Sequence, residues 1–190
     1  IWDEKLSALG GVIIRMRMEY TRRLQKEAED IYKGISMERE SFSLDYRPFE
    51  LPVQEGQTQR EISSLLLEKM MQNRSEDLRS GSTGIGPHRD DLEISINGRS
   101  VRSFGSQGQQ RSSVLALKLA ESRCIGDILG ERPVILLDDV MSELDQNRRE
   151  YLLNHLTGSQ IFITCCDKGY FSQLEGGRIF RMEHGQLEQE

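Results

Sequence analysis

Two adjacent carboxylates, Asp138 and Asp139, follow directly on the apolar run Val134-Ile135-Leu136-Leu137. Neighbouring acids repel each other unless a cation or a retained proton relieves them. The C-terminal end of a buried strand is also where open α/β sheets bind ligands. One acid holding Mg²⁺ through water, beside another orienting an attacking water, is chemistry suited to phosphoryl transfer. A pair that only caps a strand end fits the same residues. A second candidate is Phe104-Gly105-Ser106-Gln107-Gly108-Gln109-Gln110-Arg111. Serine and glycine opening a helix present backbone N–H groups at the positive end of its dipole, a ready seat for a phosphate. Glycine admits close approach to the main chain, and the glutamines add uncharged donors. An ordinary serine N-cap accounts for the same pattern. The third element, Met141-Ser142-Glu143-Leu144-Asp145, follows the acid pair at once. Each string is weak alone; their order, with about 30 residues between the first two, is hard to obtain by chance.

The elements that must position these residues are legible in the patterning. Trp2, Leu6, Leu9, Ile13, Met16 and Tyr20, then Leu24 and Ile31, fall on one stripe of a helix predicted from 2 to about 33. Gly10-Gly11 interrupts it at about 1 kcal/mol per glycine, so a kink is expected there. Its other face carries Arg15, Arg17, Arg22, Arg23 and Lys26, read as solvated or as phosphate-contacting. Residues 41–46 alternate as a half-buried strand. Thr58 with Glu61 forms a capping box for a helix reaching about Asn73. Leu92, Ile94 and Ile96 alternate up to Asn97-Gly98, a hairpin turn, from which Val101 is expected to begin a return strand. Ser106 to Gln110 then open a helix. Val134 to Leu137 reads as a strand buried on both faces, Asp145 as a cap for the next helix, and Ile161-Phe162-Ile163 as a second buried strand. Arg178 to Leu187 closes the chain as a hairpin turning at His184-Gly185. The glycine-rich stretch from Gly81 to Pro87 is expected to divide a mainly helical domain, 1–80, from an α/β domain, 81–190, with a parallel-sheet core.

Composition narrows the classes. A formal net charge of −6 argues against a freestanding DNA-binding domain, so nucleic-acid contacts would come from local patches. No apolar run approaches the roughly 20 residues of a membrane span. Cys124, Cys165 and Cys166 lack the spacing of a disulfide framework or zinc site, and fit a reducing, cytoplasmic setting. A chain opening on Ile1 is expected to be a fragment or a processed product. His88 and Arg89 beside Asp90 and Asp91 read as a salt-bridged turn supporting the hairpin, His155 and His184 as surface residues. Arg99, Arg102 and Arg111 suit phosphate contact or a solvated patch equally well.

Ser106-Gln107-Gly108-Gln109-Gln110 resembles the signature motif of ABC-type ATPases in a glutamine-rich form. Ile135 to Asp139 resembles Walker B, and Ser142 to Asp145 the D-loop. With Gly86-Pro87-His88-Arg89-Asp90-Asp91-Leu92 and the opening Trp2-Asp3-Glu4, the chain resembles the RecF family, related to the SMC and Rad50 ATPases. The resemblance implies the C-terminal lobe of an ABC-type ATPase head joined to a mainly helical domain. It implies two subunits sandwiching ATP, with Ser106 and Gly108, and Gln107, Gln109 and Gln110 around them, facing nucleotide carried by a partner. It places Asp138 on Mg²⁺, Asp139 at the catalytic carboxylate, and Asp145 at the dimer seam. Implied partners are gapped DNA, a second copy of the protein, and RecO- and RecR-type proteins, with no membrane. A structural SMC-like role is the alternative, although its arms need far longer heptads. A transporter module fits less well, because Cys165-Cys166-Asp167 stands where a switch histidine is common. No G-x-x-x-x-G-K-[ST] string occurs, so the phosphate cradle is expected upstream and the chain alone is expected to be inactive.

Overall fold

A single long helix, α1 (Trp2–Ile35), organises the first part of the computed structural model, which describes residues 2–155, 158–171 and 177–189. The stripe expected to be buried is not the buried face over its first half. Trp2, Leu9 and Met16 are 75%, 65% and 63% exposed. The helix instead turns inward Ser7, Gly10, Gly11, Ile14 and Thr21, and then Leu24, Ala28 and Ile31. The reason lies in the glycine pair. A Cβ at Gly11 would stand 2.2 Å from Ser63 Oγ, and one at Gly10 would stand 2.5 Å from Leu66 Cδ2. The two glycines are the crossing point with helix α2 (Gln59–Ser80), and α1 runs through them unbroken. Ile14, Leu51, Ile62, Leu66, Met70 and Ile85 form the core beside that crossing.

Strand β1 (Phe42–Arg47) pairs antiparallel with β2 (Asp91–Ile96), and β2 with the two-residue β3 (Arg99–Ser100). Phe42 and Leu44 are buried, as alternation requires. Thr58 and Glu61 make the expected capping box, and α2 extends past Asn73 to end on Gly81 at φ 71°. Asn97 and Gly98 turn the hairpin at φ 51° and 73°, the paired positive angles of a type I′ turn.

The return strand then stops short. Val101 opens a four-residue helix, α3 (Val101–Phe104), where a strand was expected. The ladder holds only Ser95↔Ser100 and Ile96↔Arg99, after which Val101 is drawn into the core. Gly105 closes α3 by donating its N–H to Val101 O at 3.0 Å. A Cβ at Gly105 would meet that same oxygen at 2.5 Å. Only glycine lets the chain pass from α3 into α4 (Gln107–Leu129) there.

The glycine-rich stretch at 81–87 lies inside this first unit, which extends over Ile1–Arg132. Strand β2 pairs with β1 across that stretch, and α4 packs along α1.

The second unit, Pro133–Glu190, holds the parallel pair β4 (Ile135–Asp138) and β5 (Ile161–Thr164), with α5 (Gln146–His155) between them in sequence. The pair was expected to be covered on both sides. Leu137 is buried, but Leu136 and its ladder partner Phe162 are 74% and 54% exposed, so one face of this pair is open. Strands β6 (Phe180–Glu183) and β7 (Gln186–Gln189) form the expected hairpin, turning through His184 at φ 49° and Gly185 at φ 79°.

Candidate functional site

The turn opening α4 is a complete capping box. Ser106 has extended backbone, its Oγ accepts from Gln109 N–H at 3.2 Å, and Gln109 Oε1 accepts from Ser106 N–H at 2.9 Å. Two amide donors are thereby satisfied within the turn. Those of Gln107 and Gly108 have no intrahelical acceptor, by the geometry of any helix start. Ser106 and Gln107 are exposed and Gly108 is half-buried. Two of the three glutamines expected to act as donors are engaged internally. Gln109 Nε2 donates to Glu40 Oε1 at 2.7 Å, and Gln110 Nε2 donates to Gly105 O at 3.2 Å.

The 86–91 string folds as a bonded turn beside the sheet. Asp90, its side chain 1% exposed, accepts from Phe49 N–H at 2.9 Å, from the Tyr46 hydroxyl and from Arg17. Arg17 also donates to Pro87 O. Burial, and then the hydrogen bond to the Asp90 carboxylate, push the Tyr46 phenol far above its ordinary range, against a smaller opposing pull from Arg17. Asp91 binds Arg102 at 2.7 Å, and that contact holds its carboxyl below the usual value. The ring Nε2 of His88 lies 2.8 Å from Thr83 O. These contacts agree with a salt-bridged supporting turn. Of the three arginines singled out near α4, Arg102 is committed to Asp91, Arg99 is exposed and Arg111 is half-buried.

In the second unit the acid pair sits at the end of β4, both residues exposed. Asp138 is directly opposite Thr164 in the parallel ladder, and the Thr164 hydroxyl donates to Asp138 Oδ1. The same hydroxyl accepts from Asp139 N–H at 3.0 Å, and Thr164 O receives that N–H at 3.2 Å. Asp139 holds the left-handed conformation, φ 49°. The strand therefore ends in a left-handed turn that leaves both acidic residues exposed. Ser142 Oγ donates to Asp139 O at 2.9 Å. Asp145 caps α5, accepting from Arg148 N–H at 3.0 Å and pairing with Arg148 Nε at 3.3 Å. Burial raises the Cys165 thiol above its ordinary value. The side chain of His155 lies outside the described residues. Among those described, no group of three or more histidine, cysteine or acidic residues gathers as a metal site, and no helix is long and apolar enough to cross a membrane.

Ser106 to Gln110 thus form one turn of the first unit, while Asp138 and Asp139 at the end of β4 and Asp145 at the start of α5 lie in the second. Neither Thr164 nor Glu40 was among the candidate site residues. Thr164 had a signal, since it ends the apolar run that pairs with the strand carrying Asp138. Glu40 had none, because only the folded chain brings it to Gln109.

No family model matches the chain. It is 39% identical over 189 residues to the DNA replication and repair protein RecF of Clostridium acetobutylicum, covering 98% of this chain and 50% of that protein. It is 42% identical over 192 residues to RecF of Heliobacterium modesticaldum, with coverage of 98% and 50%. Among solved structures, the recombination mediator protein RecF with ATP superposes with a TM-score of 0.83 at 35% identity, over 100% of this chain and 50% of that one. An SMC ATPase aligns with a TM-score of 0.56 at 13% identity over 93% of this chain, a likeness of fold alone. With its parallel strand pair and flanking helices, the chain has the fold of an ABC-type ATPase head. It spans about half the length of the curated relatives it matches, and over that span its curated homologues are RecF proteins.

Proposed function

We propose that this chain supplies the signature and Walker B portion of an ATP-dependent, DNA-binding recombination mediator acting at gapped DNA. ATP draws two copies together, and slow hydrolysis releases them. The observation that carries this reading is the α4 turn, in which Ser106, Gln107 and Gly108 leave a hydroxyl and two amides for an oxyanion. Its support is the 39% identity to RecF over 98% of the chain and the likeness to RecF with ATP. Ser106 and Gly108 contact the γ-phosphate of nucleotide carried by the partner, with Gln107 beside them. Gln109 and Gln110 hold the turn in shape.

The acid pair fits Mg²⁺ by the chemistry of its donors. An exposed carboxylate beside a second carboxylate is an all-oxygen set, suited to a hard cation that keeps waters and takes its other ligands from phosphates. Asp138 would hold the ion, which neutralises charge developing on the phosphates. Asp139 orients the attacking water from a backbone fixed by Thr164. Its side chain is one methylene shorter than a glutamate, which suits slow, switch-like turnover. Asp145 lies at the dimer seam while capping α5. RecO- and RecR-type proteins are the proposed further partners.

Ser106→Arg, made in a protein of the relatives' full length, tests the reading. ATP-driven dimerisation, followed by light scattering, is expected to be lost while each subunit keeps its nucleotide affinity. Collapse of that affinity as well refutes the assignment of Ser106 to a partner's nucleotide. The chain by itself is expected to hydrolyse no ATP, and substantial turnover refutes its need for a separate phosphate cradle.

A further inference from the structure

Gln109 closes the capping box with its carboxamide oxygen turned to Ser106 N–H. A carboxamide can rotate by half a turn and present its NH₂ there instead, which would set donor against donor and open the box. Within the box itself, only the bond to Ser106 N–H selects one orientation. The selection is reinforced from outside, by Glu40. Its carboxylate is an acceptor only, and it takes Gln109 Nε2–H at 2.7 Å across 69 positions of sequence. The carboxylate is itself fixed. The hydroxyl of Tyr32 donates to its second oxygen at 2.8 Å. Tyr32 is fully buried and stacks on Phe42 with ring centroids 5.1 Å apart. A rigid connection thus runs from the end of α1 and the start of β1, through Glu40 and Gln109, to the amide of Ser106.

We infer that Glu40 is a positioning residue for the phosphate-contacting turn: it locks the Gln109 carboxamide and ties the first turn of α4 to the C-terminal end of α1. The inference rests on the proposed role of Ser106. Glu40 adds negative charge near a place proposed for an anion, so its value is in acceptor geometry and not in charge. Glu40→Gln keeps a carbonyl oxygen for Gln109, and the Tyr32 hydroxyl is able to accept from the new amide. It should preserve the turn. Glu40→Ala removes the acceptor and should release it.

Residue-resolved hydrogen exchange on the chain provides the first readout. In E40A the Ser106 and Gln109 amides should exchange at least about tenfold faster, as expected when a charge-assisted hydrogen bond is lost locally. Amides in the middle of α2 should be unchanged, and E40Q should match the wild type throughout. Unchanged exchange at Ser106 and Gln109 in E40A overturns the inference, and so does an E40Q variant as damaged as E40A. Tyr32→Phe, which removes one restraint on the carboxylate without opening a cavity, should show the same pattern at smaller amplitude. It keeps the test valid should E40A unfold. The second readout is ATP-driven dimerisation in a full-length protein, which E40A should weaken and E40Q restore at constant nucleotide affinity. If Ser106→Arg abolishes dimerisation and E40A leaves it intact, the inference about Glu40 fails. If neither substitution affects dimerisation, the reading of the α4 turn fails instead.

Discussion

Replacing Gly11 by alanine sets two opposing effects against each other, and the structure decides between them. Within a solvated helix the change is favourable by about 1 kcal/mol, because alanine loses less backbone freedom on folding. At Gly11 the new Cβ would lie 2.2 Å from Ser63 Oγ, 3.0 Å from Ser63 N and 3.1 Å from Ser63 Cα. The hydroxyl can rotate away. The two backbone atoms belong to α2 and move only if the helices part by some tenths of an ångström. Forcing an extra carbon into a packed contact costs about 1–3 kcal/mol, more where the obstacle is backbone. With the propensity gain subtracted, G11A should destabilise the first unit by about 0–2 kcal/mol, towards the upper end because the obstacle is backbone. Gly10→Ala is the internal comparison. Its nearest obstacle is the end of a side chain, Leu66 Cδ2 at 2.5 Å, in a residue only 1% exposed. Its net cost should be smaller, about 0–1 kcal/mol. Urea unfolding followed by circular dichroism at the helical band suits the measurement. Trp2, the one tryptophan, is 75% exposed at the helix start and would report poorly by fluorescence. A chain of this size shifts its thermal midpoint by roughly 2–4 °C per kcal/mol. If G11A raises the midpoint, α1 and α2 do not meet at this glycine and the packing described above is wrong.

Other outcomes follow from the same contacts. Asp90→Ala leaves both the Tyr46 hydroxyl and the Phe49 N–H without their acceptor. The expected loss is about 2–3 kcal/mol in urea unfolding, with little of it from half-exposed Arg17. The Tyr46 phenol is raised by burial and Asp90, so the folded state keeps a proton that the unfolded chain gives up near pH 10. That stability is complete below the unfolded value and is lost as pH rises through the folded one. Tyr46→Phe should flatten most of the alkaline decline, the remainder coming from Tyr20, Cys124 and Cys165, whose phenol and thiols are also raised by burial. The hydroxyl of Ser112 is fully buried and has no hydrogen-bond partner among the described residues. Ser112→Ala should therefore stabilise by about 1 kcal/mol, and a loss of stability would reveal a partner for it.

The features that were legible in the sequence are those whose chemistry is local. Thr58 with Glu61, Asn97-Gly98, His184-Gly185 and the Asp145 cap each complete their hydrogen bonds or backbone angles within a few residues. The parallel pairing of 135–138 with 161–164 followed from two short apolar runs joined by a helix. The buried face of α1 did not follow, for a definite reason. Hydrophobic periodicity weighs large side chains, and it placed the core under Trp2, Leu6 and Leu9. A helix crossing is set by the shortest distance between backbones, and at Gly10 and Gly11 that distance is set by the absence of side chains. Leu24 and Ile31, beyond the crossing, are buried as the stripe required.

The signature turn shows the same limit at the site itself. A run of glutamines beside serine and glycine reads naturally as a set of donors aimed at a ligand. In the folded chain Gln109 faces Glu40 and Ser106, and Gln110 faces the carbonyl oxygens of Gly105 and Val101. Both carboxamides bond inward, across the start of α4 and the helix before it. What remains for an anion is one hydroxyl and the backbone amides that every helix start exposes. On the proposed reading, the specificity of the turn lies in how firmly those amides are held, because a preorganised donor needs no rearrangement when charge arrives. Glutamine suits this work because one carboxamide both accepts and donates, so Gln109 closes the cap at one end and reaches Glu40 with the other.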